Sequence, residues 1–121
     1  EAMLSREIII KDPNGLHTRI AAMLINKASQ IMHKYNLTLY IHKPPFKDPL
    51  GFSMLALLSL RVAPNESVVI TCNDDEQGKI ALEELCDYIE DNININKVIY
   101  VQGISKYLGG NGTKDDPYIF E

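Results

Sequence analysis

The sequence has no tryptophan, only two cysteines (Cys72 and Cys86) and no long apolar run. Two cysteines are too few for a disulfide scaffold and lack metal-ligand spacing, so we expect two reduced, apolar side chains. No apolar segment approaches the roughly 20 residues that a membrane-spanning helix requires. The first residues also lack the basic-then-apolar pattern of a secretion signal. We therefore expect a cytoplasmic protein without membrane insertion.

Positive charge is also scarce in this chain. Twelve basic side chains stand against 16 acidic ones, which gives a formal net charge of −4. Binding to a nucleic-acid backbone depends on a clustered excess of Lys and Arg, so we exclude nucleic acid as a partner. The 121 residues are 45% hydrophobic, which is ordinary for one folded unit with a buried core.

The apolar periodicity predicts a small α+β fold. Alternating or β-branched runs indicate strands, and apolar residues recurring every three to four positions indicate helices. Strands are predicted at 7–11, 37–42 and 67–72, helices at 18–33, 53–60 and about 76–92, and a weak edge strand near three prolines at 44, 45 and 49. This order predicts a two-layer sandwich with the helices on one side of a small, mainly antiparallel sheet.

The pattern changes after the last predicted helix. We predict one domain over residues 1–92 and a C-terminal extension over 93–121. Apolar residues at the start of the extension predict one more strand, and an aromatic tail is expected to pack back on the domain. The residues are Ile93, Ile95, Val98, Ile99 and Val101 for the strand, and Tyr118, Ile119 and Phe120 for the tail.

The segment 12–19 carries the most informative chemistry. It places His17 where a tight turn leads into a helix, whose first N–H groups have no partner within the helix and can bind phosphate. Arg19 supplies a planar cation suited to phosphate oxygens, and Asn14 and Gly15 permit the turn. Imidazole is nucleophilic near neutral pH and can carry a phosphoryl group.

Residues 12–32 resemble the active-site segment of HPr, the phosphocarrier family of the bacterial sugar phosphotransferase system. Matching residues are Gly15, Leu16, His17, Arg19, Ala21 and Ala28–Ser29. The resemblance implies an HPr-like open-faced sandwich of order β-α-β-β-α-β-α, a carrier rather than an enzyme, and no cofactor or metal. It implies that His17 accepts phosphate on Nδ1 from phospho-enzyme I and passes it to the IIA component of a sugar transporter. Arg19 would stabilise the phosphate, and Asn14, Gly15, Leu16 and Thr18 would form the loop around it.

A second segment, 53–60, is similar to the family's Ser-Ile-Met-Gly-Val-Met-Ser-Leu stretch. In that register Ser53 falls on a regulatory serine, and Met54, Leu55 and Leu58 fall on the apolar patch that docks enzyme I. The resemblance thereby adds a kinase/phosphorylase and a transcriptional regulator to the partners to be considered. From the residues alone, a helix N-cap at Ser53 and core positions for the apolar residues are equally consistent.

Departures from the family pattern keep a second function open. Ile20 stands where the family has proline, Thr18 where it has alanine, and Arg61 where it has glycine. The segment between Leu37 and Ser53 is longer than expected, and the extension has no counterpart. The alternative is an HPr-like regulatory or adaptor module that binds proteins without efficient phosphotransfer. A small hydrolase is a minor third interpretation, without a second catalytic group to support it.

Overall fold

A computed structural model describes residues 3–95, 101–102, 107–109 and 118–120 of the chain. Six elements make up the first part, followed by a π-helical turn and three short strands. They are β1 (Met3–Ile9), α1 (Thr18–Tyr35), β2 (Tyr40–His42), α2 (Met54–Ser59), β3 (Ser67–Asn73), α3 (Glu76–Tyr88), the π-helical turn Ile89–Ile93, β4 (Val101–Gln102), β5 (Tyr107–Gly109) and β6 (Tyr118–Phe120).

The main sheet has three antiparallel strands in the order β1-β3-β2. Alternate residues of β3, beginning at Val68 and ending at Cys72, are buried on one face, as the period of a half-buried strand requires. Helix α3 packs on β1 and β3, and α1 packs against α3 and α2. The predicted α+β sandwich, with helices on one side of a mainly antiparallel sheet, is thereby confirmed.

Two strands differ in length from the prediction. β1 begins at Met3 rather than at residue 7 because residues 3–6 also pair with β3, so that Met3 lies opposite Asn73. β2 covers only Tyr40–His42 rather than 37–42. The predicted weak edge strand is reduced to one bridge between Ile41 and Leu50, since prolines on the intervening segment remove ladder donors.

The helices follow the predicted apolar stripes closely. α1 buries Ile20, Ala21, Leu24, Ala28 and Ile31, and it ends at Asn36 in the left-handed conformation (φ 51°), which asparagine tolerates at a helix end. α3 starts from Asp75, whose carboxylate accepts a hydrogen bond from the Gly78 N–H.

The stripe predicted for α3 is confirmed at Ala81, Leu85 and Ile89, which are all fully buried. Tyr88 is only half-buried, with the Lys27 ammonium 5.5 Å from its ring centre.

A polar contact joins the outer surfaces of α1 and α3. Glu84 accepts a hydrogen bond from the Tyr35 hydroxyl at 2.7 Å and pairs with Lys34 at 3.2 Å and Lys27 at 3.4 Å. The hydrogen bond from Tyr35, followed by the two ammonium groups, lowers the pKa of the Glu84 carboxyl.

The strand predicted from Ile93 onward is wrong at its start, because Ile93 belongs to the π-helical turn that continues α3. Val98 and Ile99 lie outside the described residues, and Val101 lies in β4. The strands β4 and β5 both pair with β6, in parallel and antiparallel directions respectively. Tail packing through the side chains of 118–120 falls outside what the structure describes and stays a prediction. In the described segments no helix is long and apolar enough to span a membrane.

Candidate phosphohistidine site

The site begins with a tight turn between β1 and α1. The Gly15 N–H donates to the Asp12 carbonyl at 2.8 Å, and the Asn14 N–H donates to Asp12 Oδ1 at 2.9 Å. Asp at the first position and Pro13 at the second are residues that favour such a turn. The turn therefore reverses the chain after β1 and directs it into α1.

A second segment, the turn after α2, holds this turn in place. The Leu16 N–H donates to the Val62 carbonyl at 2.9 Å, and the Leu16 side chain is buried in the core. Gly15 has φ 66°, and a Cβ at this position would overlap the Val62 carbonyl oxygen and approach Ala63 Cα to 3.1 Å. Only glycine satisfies both the left-handed conformation and this close approach.

His17 is the N-cap of α1, with φ −94° and ψ −179°. Its carbonyl accepts the first helical hydrogen bond, from the Ala21 N–H at 2.8 Å, but its side chain caps no N–H group. Ser, Thr, Asp or Asn would be favoured at a helix N-cap, so His17 stabilises the start of α1 less than one of these residues would. The N–H groups of Thr18, Arg19 and Ile20 precede that first bond, and such groups attract an anion.

The predicted loop residues have different surroundings. The N–H groups of Asn14, Gly15 and Leu16 are already bonded within the turn or to Val62. Asn14 and Thr18 are exposed, and Gly15 and Leu16 are buried. The backbone N–H groups that remain available to bind a phosphate therefore lie on the first turn of α1 rather than on the loop.

Asp12 lies directly beneath the predicted site residues. Its side chain is 1% exposed, with Oδ1 3.2 Å from His17 Nε2 and Oδ2 2.9 Å from Arg19 Nη2. His17 Nε2 is enclosed, and its contact with Asp12 has an ion-pair distance without the alignment of a hydrogen bond. The imidazole is 29% exposed, so its exposed surface lies away from Nε2.

Sequence reasoning gave no role to Asp12. The residue is part of the turn signature Asp-Pro-X-Gly, which explains its presence without any function. Its burial depends on how the turn folds against the start of α1, and no sequence pattern indicates that contact.

Ser53 and its neighbours form a separate surface on α2. Ser53 is the predicted N-cap, and its Oγ accepts a hydrogen bond from the Ala56 N–H at 3.1 Å. We call Met54, Leu55 and Leu58 the α2 surface. Leu55 is 84% exposed and Leu58 39%, whereas Met54 is half-buried. These side chains lie mainly outside the core, which Leu57 enters instead.

Two of the departures are accommodated by the fold. Arg61 adopts the left-handed conformation, with φ 52°, which glycine favours, so the helix exit keeps that geometry despite the substitution. Its carbonyl accepts a hydrogen bond from the Lys43 ammonium at 3.0 Å, and that ammonium also pairs with Glu66 at 2.9 Å. Ile20 is 1% exposed in the core and occupies the first turn of α1 without disrupting it.

The remaining chemically active side chains form no second centre among residues 3–95. No group of three or more His, Cys, Asp or Glu side chains is arranged to hold a metal there. Cys72 and Cys86 are buried free thiols, and burial is the main cause that raises the pKa of each. Their thiolate forms are therefore disfavoured at neutral pH.

Comparison with known proteins places these features in one family. Residues 4–91 match the family described as "PTS HPr component phosphorylation site". The chain is 30% identical to the phosphocarrier protein HPr of Buchnera aphidicola over 87 residues, which is 72% of this chain and 95% of that protein. It is 33% identical to the HPr of Borreliella burgdorferi over 88 residues, 73% of this chain and 95% of that one. The structure of HPr-C-His from Thermoanaerobacter tengcongensis aligns with a TM-score of 0.61 at 26% identity, covering 77% of this chain and 98% of that one.

Proposed function

Because this chain belongs to the HPr family of phosphocarriers of the phosphotransferase system, we propose that His17 is its phosphoryl-accepting residue. In this proposal Nδ1 of His17 accepts the group from phospho-enzyme I and passes it to the IIA component of a sugar transporter. One observation carries the assignment: His17 stands at the uncapped start of α1 with Nε2 enclosed beside a buried carboxylate. Nδ1 is then the ring nitrogen left for chemistry.

The bonding changes of the transfer occur at His17, and the phosphate is bound at the start of α1. The Nδ1 lone pair attacks phosphorus, and the bond from phosphorus to the donor atom of phospho-enzyme I breaks with its electron pair remaining on that atom. The phosphate oxygens then meet the first-turn N–H groups of Thr18 and Arg19 and the positive end of the helix dipole. The Arg19 side chain, 55% exposed, adds a cation that can bind the phosphate oxygens.

Partner docking is assigned to the α2 surface. Leu55 projects almost entirely into solvent, and Leu58 is also exposed. Apolar side chains at the centre of a patch are the usual anchors of a protein interface. Because α2 packs against α1, a partner seated on α2 is held against the helix that begins at His17.

Regulation through Ser53 is the third part of the proposal. Ser53 is exposed and next to Met54, the first residue of the α2 surface. A phosphate there adds about two negative charges beside an apolar docking patch, which disfavours an acidic partner. Since the Ser53 hydroxyl is also the α2 cap, the modification acts on the same short helix that carries the patch.

Two of the departures that favour the adaptor alternative fit the fold without disturbing it. Ile20 fits the core at the first turn of α1, and Arg61 keeps the backbone conformation expected of glycine. Thr18, the longer segment between Leu37 and Ser53, and the C-terminal extension, residues 93–121, still favour the alternative. A carrier and an adaptor differ in one measurable property, the transfer of phosphate through His17.

That property is tested by incubating the protein with phosphoenolpyruvate and a catalytic amount of enzyme I from the same organism, with detection by intact mass. We expect one acid-labile phosphoryl group, absent in His17→Ala. His33→Ala is the matched control, because His33 is an exposed histidine of the same helix and its loss should leave labelling intact. Absence of label on the wild type, with an enzyme I that itself takes up phosphate from phosphoenolpyruvate, would refute the carrier function and favour the adaptor.

A further inference from the structure

A buried carboxylate touches both predicted functional side chains. Asp12 contacts Asn14 through one oxygen at 2.9 Å, and the same oxygen lies 3.2 Å from His17 Nε2. The other oxygen accepts a hydrogen bond from Arg19 Nη2 at 2.9 Å. Burying a charge is costly unless charged or hydrogen-bonding groups compensate it. The turn itself needs only the one acceptor, which a neutral asparagine also supplies.

The geometry points to a specific role for that charge, and the inference rests on the proposed carrier function. We propose that Asp12 is a positioning residue for phosphoryl transfer: it holds the proton on His17 Nε2, balances the positive charge that the ring acquires, and keeps Arg19 beside the site. Asp12 does not touch the phosphate in this scheme. It acts through the two side chains it holds.

The proton argument follows from the contact at Nε2. A bare nitrogen lone pair 3.2 Å from a carboxylate oxygen would be repelled, so the neutral ring carries its proton on Nε2 and leaves the Nδ1 lone pair free. When Nδ1 forms its bond to phosphorus, the Nε2 proton stays and the ring becomes cationic. A buried carboxylate at this distance stabilises such an imidazolium, as the aspartate of a Ser-His-Asp triad does.

Arg19 is held through only one of its terminal nitrogens, so the other can bind the phosphate on His17. Nη2 is bound to Asp12, whereas Nη1 lies 3.8 Å from the Met23 sulfur. A thioether is a weak acceptor, so Nη1 can turn toward a phosphate oxygen while Nη2 keeps its carboxylate. The guanidinium is therefore stationed before the phosphate arrives, which lowers the ordering cost of the transfer.

Two substitutions of Asp12 distinguish the role of its negative charge from its role as a hydrogen-bond acceptor in the turn. In Asp12→Asn the side-chain oxygen can still accept from Asn14, while the amide group faces Arg19 and the charge is gone. We expect kcat for phosphorylation by enzyme I to fall by about 10- to 100-fold with KM little changed, because the α2 surface is intact. Asp12→Ala should fall further. Glu84→Gln is the matched control, since it removes one carboxylate charge from the α1–α3 surface, and we expect its kcat to equal that of the wild type.

A second measurement needs no variant. Nitrogen-15 spectra of the histidine rings should show His17 with Nε2 protonated and Nδ1 bare in the unphosphorylated wild type. A ring protonated on Nδ1 would overturn the role of Asp12, whether or not any variant folds.

The kinetic outcomes are also distinct. The inference would be overturned if the wild type is phosphorylated and the folded Asp12→Asn variant has the wild-type kcat or differs only in KM. The carrier function would then still stand. A wild type that takes no phosphate would overturn both.

Discussion

Replacing Gly15 with alanine tests how the site is held. A residue other than glycine in the left-handed region costs about 1–2 kcal/mol, and Gly15 has φ 66°. The added Cβ would also overlap the Val62 carbonyl, so the hydrogen bond from Leu16 to that carbonyl must lengthen or break, at about 0.5–1.5 kcal/mol. With the rigid backbone on both sides of the contact, we expect a loss of about 2–4 kcal/mol of unfolding free energy.

Urea denaturation followed by circular dichroism measures this loss directly, and a thermal melt should show a fall on the order of 10–20 °C. Gly51→Ala is the matched control. A Cβ at Gly51 meets nothing within 4 Å and its φ lies outside the left-handed region, so its stability should change by less than about 1 kcal/mol. The reasoning is refuted if Gly15→Ala and Gly51→Ala unfold at the same urea concentration. Gly15→Ala should also slow phosphorylation of His17, since the overlap displaces the segment that leads into α1.

Three further predictions concern other parts of the domain. Leu24→Ala removes a fully buried side chain and should cost about 2–5 kcal/mol in urea denaturation, whereas Leu55→Ala, on the 84% exposed Leu55, should cost almost nothing; equal effects would contradict the assigned core. Ser53→Ala removes the α2 cap and should cost about 0.5–2 kcal/mol, while Ser53→Asp keeps a capping acceptor and should cost less; a melt that ranks them in the opposite order would argue against the cap. Glu84→Gln should lower stability at neutral pH. Because the pKa of the Glu84 carboxyl is lower in the folded state than in the unfolded state, its ionised form stabilises the fold above the unfolded-state pKa near 4.5. This stabilisation is lost as the pH falls through the folded-state pKa. The difference between the wild type and Glu84→Gln should therefore disappear in acid, and a difference that grows on acidification would be incompatible with this assignment.

Much of the fold is predictable because local patterns agree with the tertiary packing. The stripe of α1, the Asn36 stop and the Ser53 cap all appear in the structure where the sequence indicates them. The failures occur where pairing decides the outcome. Ser5 and Arg6 interrupt the apolar signal in the first half of β1, but they pair with Thr71 and Ile70 of β3. Leu37 has the right alternation, but β3 ends at Asn73 and leaves little to pair with it.

The candidate site divides in the same way. The turn and the position of His17 follow from local residue types, since turn formers precede a helical stripe. Asp12 could not be assigned, because a buried carboxylate beside His17 and Arg19 depends on how the turn folds against α1. The state of the loop N–H groups could not be assigned either, because one of their acceptors, Val62, lies 46 residues beyond Leu16 along the chain.

The hydrogen bond between Leu16 and Val62 determines whether the active-site segment could keep its conformation as an isolated peptide. Ile10 also bonds to Asn65 and Glu66, at 2.7 and 2.9 Å, so the backbone on either side of the turn is tied to residues about 50 positions away. A peptide of residues 6–35 would contain every matching residue of the first motif but none of these partners. It would have no means of holding Gly15 in its left-handed conformation. Transplanting the motif into another protein therefore requires a host that supplies an equivalent carbonyl opposite the glycine, and His17 acquires its surroundings only once the later half of the domain has folded.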